Sequence, residues 1–415
     1  MGISITERAE RVIARCREIA AHTEVVGETT RPFLCASARD VHALVRGWME
    51  PAGMVVRVDA VGNLRGMYAG ASDGARVLVI GSHLDTVPNA GAFDGILGVV
   101  MGVALVEELR GERLPVAIEV VGFSEEEGVR FSFPFLSSRA FVGSLDAAMI
   151  AKTDAAGASV SDAMREFGLS GDAMRDARMT EVTAGYLEFH IEQGPVLEAE
   201  RVPLGVVTAI AGQTRLRLTF TGQANHAGTT PMHLRRDAMA AAAHWMVEVE
   251  RRAIAERELV ATVGRLDVKP GAGNVIAGEV VATLDVRHAE DVRRNVAVAE
   301  MLTSAENSAK SRGVTVKAEM QMEQRAVAMD AGMVRLLEES ARGAGVACKK
   351  MVSGAGHDAM IVAPVAPSAM LFVASPGGLS HHPDEAVVTS DVEAALDVGM
   401  RFVREFATKA SKTNA

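Results

Sequence analysis

The chain is poor in the features that staple a protein together or anchor it. It has three cysteines, Cys16, Cys35 and Cys348, far apart and in no CxxC spacing. That excludes a disulfide framework and a zinc ribbon, and predicts buried free thiols in a reducing compartment. No stretch approaches the ~20 consecutive apolar residues that a membrane helix requires. The first twenty residues carry Glu and Arg throughout, where a secretory leader needs an apolar core. A cytoplasmic protein is the expectation. Positive charge is not in excess either: 43 Lys and Arg against 53 Asp and Glu leave a formal charge of −10. Nucleic acid and anionic membrane therefore find no electrostatic footprint, and any basic pocket must be local. Aromatic residues are only 4% of the chain. There is no tandem repeat and no low-complexity tract beyond the polar tail 409–415, which is expected to fray.

What is present is globular material in quantity. With 415 residues the chain exceeds the size at which one hydrophobic core stops growing, so two domains are expected. A composition of 48% hydrophobic and 23% charged residues, with 39 glycines, suits close-packed α/β layers. Helical spacing of apolar residues runs over 5–21 and 38–52, and short strands are read at 55–59 and 65–68 around the turn Gly62-Asn63. The apolar run 75–80 reads as a buried central strand and leads into Gly81-Ser82-His83-Leu84-Asp85. A helix over 95–110 follows, then a second buried strand over 116–123 that ends in Ser124-Glu125-Glu126-Glu127. Polar residues at the carboxyl ends of such strands lie where open α/β sheets put their sites.

Between Gln213 and Asp330 the pattern changes. A strand (215–221), a helix (235–256), two strands (260–268 and 278–287), a helix (289–312) and a strand (314–321) give the β-α-β-β-α-β order of the ferredoxin-like split unit. A helix over 333–344, a strand over 369–373 and a helix over 390–408 complete the first domain. The expected fold is a doubly wound α/β catalytic domain with a mixed sheet, formed by residues 1–212 and 330–415. A ferredoxin-like α+β domain, 213–329, is inserted in it.

Several residues carry chemistry. In GSHLDTVPNAGAFDG, residues i and i+2 of an extended strand share a face, so Asp85 can hydrogen-bond the far nitrogen of His83 and fix its tautomer as a metal ligand. A satisfied structural histidine is the alternative. Asp94, in a Gly-flanked loop, is free to reach the same point as a carboxylate bridge. Three adjacent carboxylates, Glu125 to Glu127, repel one another after a buried strand and call for a cation, unless they form a solvated helix start. His190 belongs to FHIEQGP, with Glu192 on the same strand face and Gln193 pointing elsewhere, and His381 belongs to GLSHHPDE. Together these residues are of the types that a two-cation site of mixed nitrogen and oxygen ligands needs, but scattered over roughly 300 residues they become specific only through resemblance. His22, His42, His233, His244 and His288 have no paired ligands and read as ordinary histidines, and the 21 methionines as packing.

The motifs GSHLDTV, AFDG, EEGVRF, HIEQGP, NHAGTTPM, GAGNVI, LDVRH, GAGHDA and GLSHHPDE span nearly the whole chain. In them the sequence resembles the metal-dependent aminoacylase and carboxypeptidase superfamily. Within it, the match is to the branch of allantoate amidohydrolases, N-carbamoyl-L-amino-acid hydrolases and β-ureidopropionases. The resemblance implies two divalent ions, Zn or Mn with Co admissible, held by His83, Asp94, Glu127, His190 and His381, with Asp94 bridging. It implies Glu126 as general base and Asp85 as the partner behind His83. Gly128 anchors the choice among the glutamates, and Ser380 selects His381 over His382. By the same resemblance the inserted domain is a lid and dimerisation module that closes about hinges near Gly212 and Asp330. Its His226 and Asn274 donate to the developing oxyanion and its Arg287 offers a planar fork to a substrate carboxylate. Gln193 reads the carbamoyl amide, and His357, beside Asp358, makes a substrate or supporting contact.

The expected activity is hydrolysis of the carbamoyl or ureido C–N bond of a small carboxylate by a homodimer, releasing ammonia and CO2. Allantoate and N-carbamoyl-L-amino acids are the candidate substrates, with EEGVRF and FLSSRAFVG leaning to allantoate. A dipeptidase or N-acyl-amino-acid aminoacylase would keep the metals but lack the set Gln193, Asn274 and Arg287. A metal-binding scaffold would have lost the base or a ligand.

Overall fold

The computed structural model describes residues 4–412. The chain divides into two compact units, one formed by the residues up to Thr208 together with those from Met329 onward, the other by Ala209–Ala328.

The centre of the first unit is the strand Val77–His83, buried along its whole length. It runs parallel to Ala117–Phe123 on one side and to Thr183–Ile191 on the other, and Ser368–Val373 continues the parallel set beyond Thr183–Ile191. Burial on both faces is why these strands read as largely apolar runs and not as alternating ones, with the buried Glu119 and Glu188 as interruptions. Antiparallel strands flank this core: Leu64–Tyr68 and Val55–Val58 on one edge, Leu204–Ile210 on the other, giving a mixed nine-stranded sheet. The helix Ile96–Leu109 is apolar nearly all round and lies directly on the sheet. A Cβ at Gly98 would stand 2.2 Å from the Phe189 carbonyl oxygen, so only glycine permits that approach. Helices Ile5–Ala20, Ala331–Ala344 and Thr389–Lys412 complete this layer. No helix among the described residues is long and apolar enough to cross a membrane.

In the second unit the strand order is Thr315–Gln324, Gly212–Thr221, Glu279–His288 and then the pair Val260–Thr262 and Leu266–Lys269, all antiparallel to their neighbours. Helices Ala238–Ile254 and Asp291–Lys310 complete the unit. The alternate residues Val280, Ala282, Leu284 and Val286 are buried with Leu216, Leu218, Phe220 and Trp245 in one core, the period-2 signature of a half-buried strand.

The structure departs from the sequence reading at several places. The single strand read over 260–268 is two short strands, because the chain leaves the ladder between Thr262 and Leu266. The helix read from 235 begins at Ala238, where Asp237 caps the N–H groups of Met239 and Ala240. The last helix, read over 390–408, runs to Lys412, with Lys409 on Glu339, and 413–415 lie outside the described residues. Cys16 is buried but Cys35 and Cys348 are only half-buried, and all three are free thiols.

Candidate metal centre

Three parallel strands bring the candidate metal-ligating side chains together at their carboxyl ends. His83 is the last residue of its strand, and His190 is one residue from the end of the neighbouring Thr183–Ile191. Their ring centroids are 5.7 Å apart. Gly95, with φ +69°, packs so closely that a Cβ would stand 2.4 Å from the His83 ring. That glycine lets the Asp94 loop fold onto the histidine. Glu385 holds the loop from the far side, its Oε1 accepting the N–H groups of Phe93 at 2.7 Å and Asp94 at 2.8 Å.

The donors sort into two sets that share Asp94. Asp94 Oδ1 lies 3.2 Å from His190 Nε2 and 3.7 Å from His83 Nε2. Asp94 Oδ2 lies 3.2 Å from His381 Nε2, which is 3.5 Å from Glu127 Oε1. In each set, His83–Asp94–His190 and Asp94–Glu127–His381, the ligand atoms are within 4.8 Å of one another. Ligands each ~2.1 Å from one ion in tetrahedral array stand roughly 3.4 Å apart, which these distances bracket. His83 Nδ1 faces the Asp85 carbonyl at 3.0 Å and His190 Nδ1 faces the Ile191 carbonyl at 3.0 Å. Each Nδ1 must donate there, so in the neutral ring the lone pair is on Nε2, which is turned toward Asp94. His190 Nε2 and Asp94 Oδ1 are buried without a hydrogen-bond partner, as expected of atoms whose partner is a cation.

The electrostatics agree. Burial opposes charge on His83 and His190, yet the carboxylates of Asp85 and Asp94 around the first and of Asp94 around the second outweigh it and raise both pKa values. Burial alone would raise the Asp94 pKa, but the His190, His381 and His83 rings crowded around it favour its charged form and hold it well below the usual carboxylate range. Glu126 is pushed well up, chiefly by burial and then by Glu127 and Asp358, although His83 pulls against them. Glu127 rises to about 7 through burial and the proximity of Asp94. So many buried carboxyls in one place are costly unless cations compensate them. Glu126 shares a further cluster with His83 and Glu127, which puts its carboxyl beside the first ligand set.

Other predicted residues stand differently from the sequence reading. The Asp85 carboxylate is 3.6 Å from His83 Nδ1, and its oxygens accept the N–H groups of Glu126 at 3.0 Å and Glu127 at 3.1 Å. Because the strand ends at His83, the i, i+2 same-face rule stops applying, and the Asp85 backbone carbonyl takes the histidine N–H instead. Glu192 likewise lies past the end of its strand and accepts from the N–H groups of Val196 and Leu197. Gln193 does not point elsewhere. With φ +58° it turns Nε2 onto Asp94 Oδ2 at 3.0 Å and Ser380 Oγ at 3.2 Å, and its buried Oε1 has no partner. His357 is buried, 4.5 Å edge-on from the His190 ring, with Nε2 2.8 Å from Ser353 Oγ.

In the second unit, His226 and Asn274 are brought together: His226 bridges Val275, and the Ala227 N–H donates to the Asn274 carbonyl at 2.9 Å. Arg287 pairs with Asp285, which also accepts from Gln213 and Arg215. These groups occupy opposite ends of one ladder. Arg287 faces Gln213 at one end of Glu279–His288, and the His226–Asn274 loops leave from the Thr221–Glu279 end. From 279 to 287 is eight residues, or ~27 Å of extended strand. The sequence reading missed Glu385, although it lies inside the motif GLSHHPDE, and Arg31, for which no motif gave a signal.

A shared-carboxylate pair of three-donor sites at the carboxyl edge of a mixed sheet describes a metallohydrolase architecture, and residues 79–408 match Peptidase family M20/M25/M40. The chain belongs to that family. It is 38% identical to the N-carbamoyl-L-amino acid amidohydrolase of Geobacillus stearothermophilus, over 94% of this chain and 97% of that one. It is 36% identical to allantoate deiminase 1 of Glycine max, over 93% of this chain and 87% of that one. Among solved structures, an amidase of the hydantoinase/carbamoylase family from Burkholderia multivorans is similar with a TM-score of 0.90 at 33% identity, covering 96% of this chain and 98% of that one.

Proposed function

We propose that this protein is a two-metal amidohydrolase of the cytoplasm that cleaves the carbamoyl or ureido C–N bond of a small carboxylate, allantoate or an N-carbamoyl-L-amino acid, to ammonia and CO2. The observation that carries the reading is the division of Asp94: one oxygen faces His83 and His190, the other His381, with Glu126 alongside. The names of the relatives support the substrate class.

Two divalent cations, Zn or Mn with Co admissible, supply Lewis acidity at the carbamoyl oxygen and lower the pKa of the attacking water when bound. Glu126 takes the proton of that water and returns it to the leaving nitrogen. Gln193 orients Asp94 through Nε2 and offers its unpartnered Oε1 to the carbamoyl NH2. His226 and Asn274 donate to the oxyanion, Arg287 holds the carboxylate, and His357 supports the His190 ring. The inserted unit acts as the lid that carries these substrate groups. A separation of ~27 Å between Arg287 and the His226–Asn274 end exceeds any small substrate. This favours a homodimer in which one set comes from a second copy.

The test is ammonia release by the protein reconstituted with Mn or Zn. Allantoate, N-carbamoyl-β-alanine, several N-carbamoyl-L-amino acids and an N-acetyl amino acid are compared. Release from a ureido acid establishes the class and names the substrate. Cleavage of the N-acetyl compound alone would overturn it in favour of an aminoacylase.

A further inference from the structure

Arg31 is a charged side chain, 1% exposed, and no carboxylate lies within ion-pair distance of it among the described residues. Burying a guanidinium without a counterion is costly, so its contacts need a reason. Its Nε donates to the Leu84 carbonyl at 2.7 Å, and its Nη1 donates to the carbonyls of Ile19 at 3.1 Å and His22 at 2.7 Å. The backbone repeats the grip. The Arg31 N–H donates to Thr86 Oγ1 at 2.9 Å, and the Thr86 N–H donates to the Arg31 carbonyl at 2.9 Å. Residue 31 therefore holds both neighbours of Asp85. It ties them to the C-terminal end of the helix Ile5–Ala20, where the helix dipole favours a cation.

Asp85 is the hub that this grip serves. Its carbonyl accepts from His83 Nδ1, and its two carboxylate oxygens accept from Glu126 and Glu127. Three groups of the centre thus hang on one residue: a ligand of the first set, the base, and a ligand of the second. A shift of the 84–86 peptide moves all three at once. We propose that Arg31 is a positioning residue of the metal centre, fixing through Leu84 and Thr86 the Asp85 hub that orients His83, Glu126 and Glu127. The Arg31 charge also lies near the Asp85 carboxylate, with which it interacts favourably. A planar five-donor fork can hold three carbonyls of separate segments, whereas a lysine ammonium cannot reach them in that geometry.

This inference rests on the reading of His83 and Glu127 as metal ligands, and its test separates the two. Metal dissociation constants for Mn and Zn are measured by chelator competition on Arg31→Lys, Arg31→Gln and Thr86→Val, with kcat and KM recorded separately. Arg15→Gln is the control: it lies on the same helix but pairs with Glu107, and should leave affinity and kcat unchanged. Supporting groups behind ligands affect metal affinity by about 10- to 100-fold. That loss is expected for both Arg31 variants, with a smaller loss of the same sign for Thr86→Val and the fall in kcat exceeding any change in KM. If Arg31→Gln does not fold, Arg31→Lys and Thr86→Val decide. Wild-type metal affinity and kcat in both, with only the melting temperature lowered, would reduce Arg31 to a structural residue and overturn the proposal. Absence of metal binding in the wild type would instead overturn the reading of the centre itself.

Discussion

Replacing Glu126 by Gln tests the chemistry with the least disturbance of the site. Glutamine has the same shape but cannot take a proton at neutral pH. The contacts that place residue 126 are backbone ones: its N–H on Asp85 Oδ1 at 3.0 Å and its carbonyl accepting the Phe135 N–H at 2.9 Å. Both survive the substitution. A positioned general base contributes about 10²- to 10⁴-fold, so kcat should fall by that factor, equivalent to about 3–5 kcal/mol in the barrier. KM should change little, because no substrate-holding group is touched. The stability of the metal-free protein should hold or rise, since burial, and then Glu127, Asp358 and Asp85, disfavour a charged Glu126 and the amide is always neutral. The assay is steady-state ammonia release on the substrate identified above, with metal content measured by inductively coupled plasma mass spectrometry on the same preparation. A variant that keeps more than a tenth of the activity would refute Glu126 as the base. Loss of metal together with activity would show that residue 126 is a ligand and that the assignment among the glutamates is shifted.

Mixing inactive His226→Ala and Arg287→Ala proteins under conditions of subunit exchange should restore activity, because a hybrid dimer has one site with both groups intact. With random exchange about a quarter of the wild-type rate is expected, and no recovery would mean that both groups act within one copy. Removing the metals with a chelator should abolish ammonia release and lower the melting temperature. At a free metal concentration of about 1,000 times Kd the ions stabilise by about 4 kcal/mol, so an unchanged melting temperature would contradict the two ligand sets. His42, edge-on to Phe167 at 5.7 Å, has its pKa lowered from 6.5 to about 4 by burial and by Arg46, Arg31 and Arg39. The unfolded chain then binds a proton that the folded one refuses, so stability is full above 6.5 and is lost as pH falls toward 4, by up to about 3 kcal/mol. Urea midpoints of wild type and His42→Gln across that window should diverge, with the variant flatter; parallel curves would exclude His42 as the source.

Much of the architecture was legible because its signals are local. A buried parallel strand needs a largely apolar run, as in 75–80 and 116–123, and a strand packed on one face needs alternation, as in Val280, Ala282, Leu284 and Val286. The alternation of strands and helices in the second unit follows from those patterns, although the single strand read over 260–268 is two. The candidate metal ligands came from intact motifs, and the structure gathers His83, Asp94, Glu127, His190 and His381 as two three-donor sets that could each hold an ion.

Which atom of each residue does what was decided only by the tertiary structure. Periodicity predicts a shared face as long as the strand lasts, and both histidine strands end within a residue of their histidines, so the contacts of Asp85, Glu192 and Gln193 lay beyond its reach. The donors and acceptors that hold the centre are mostly backbone groups: the carbonyls of Leu84, Asp85 and Ile191 and the N–H groups of Asp94, Glu126 and Glu127. Every residue carries such groups, so no residue type marks them. Arg31 and Glu385 act across 53 and 291 positions of chain, and the opposite placement of Arg287 and His226 depends on strand register. The sequence by itself determined the elements and the kinds of ligand, since those depend on side-chain chemistry and short-range pattern. Folding determined the division of Asp94 between two sites and the hub at Asp85, because these depend on where distant backbone segments come to rest.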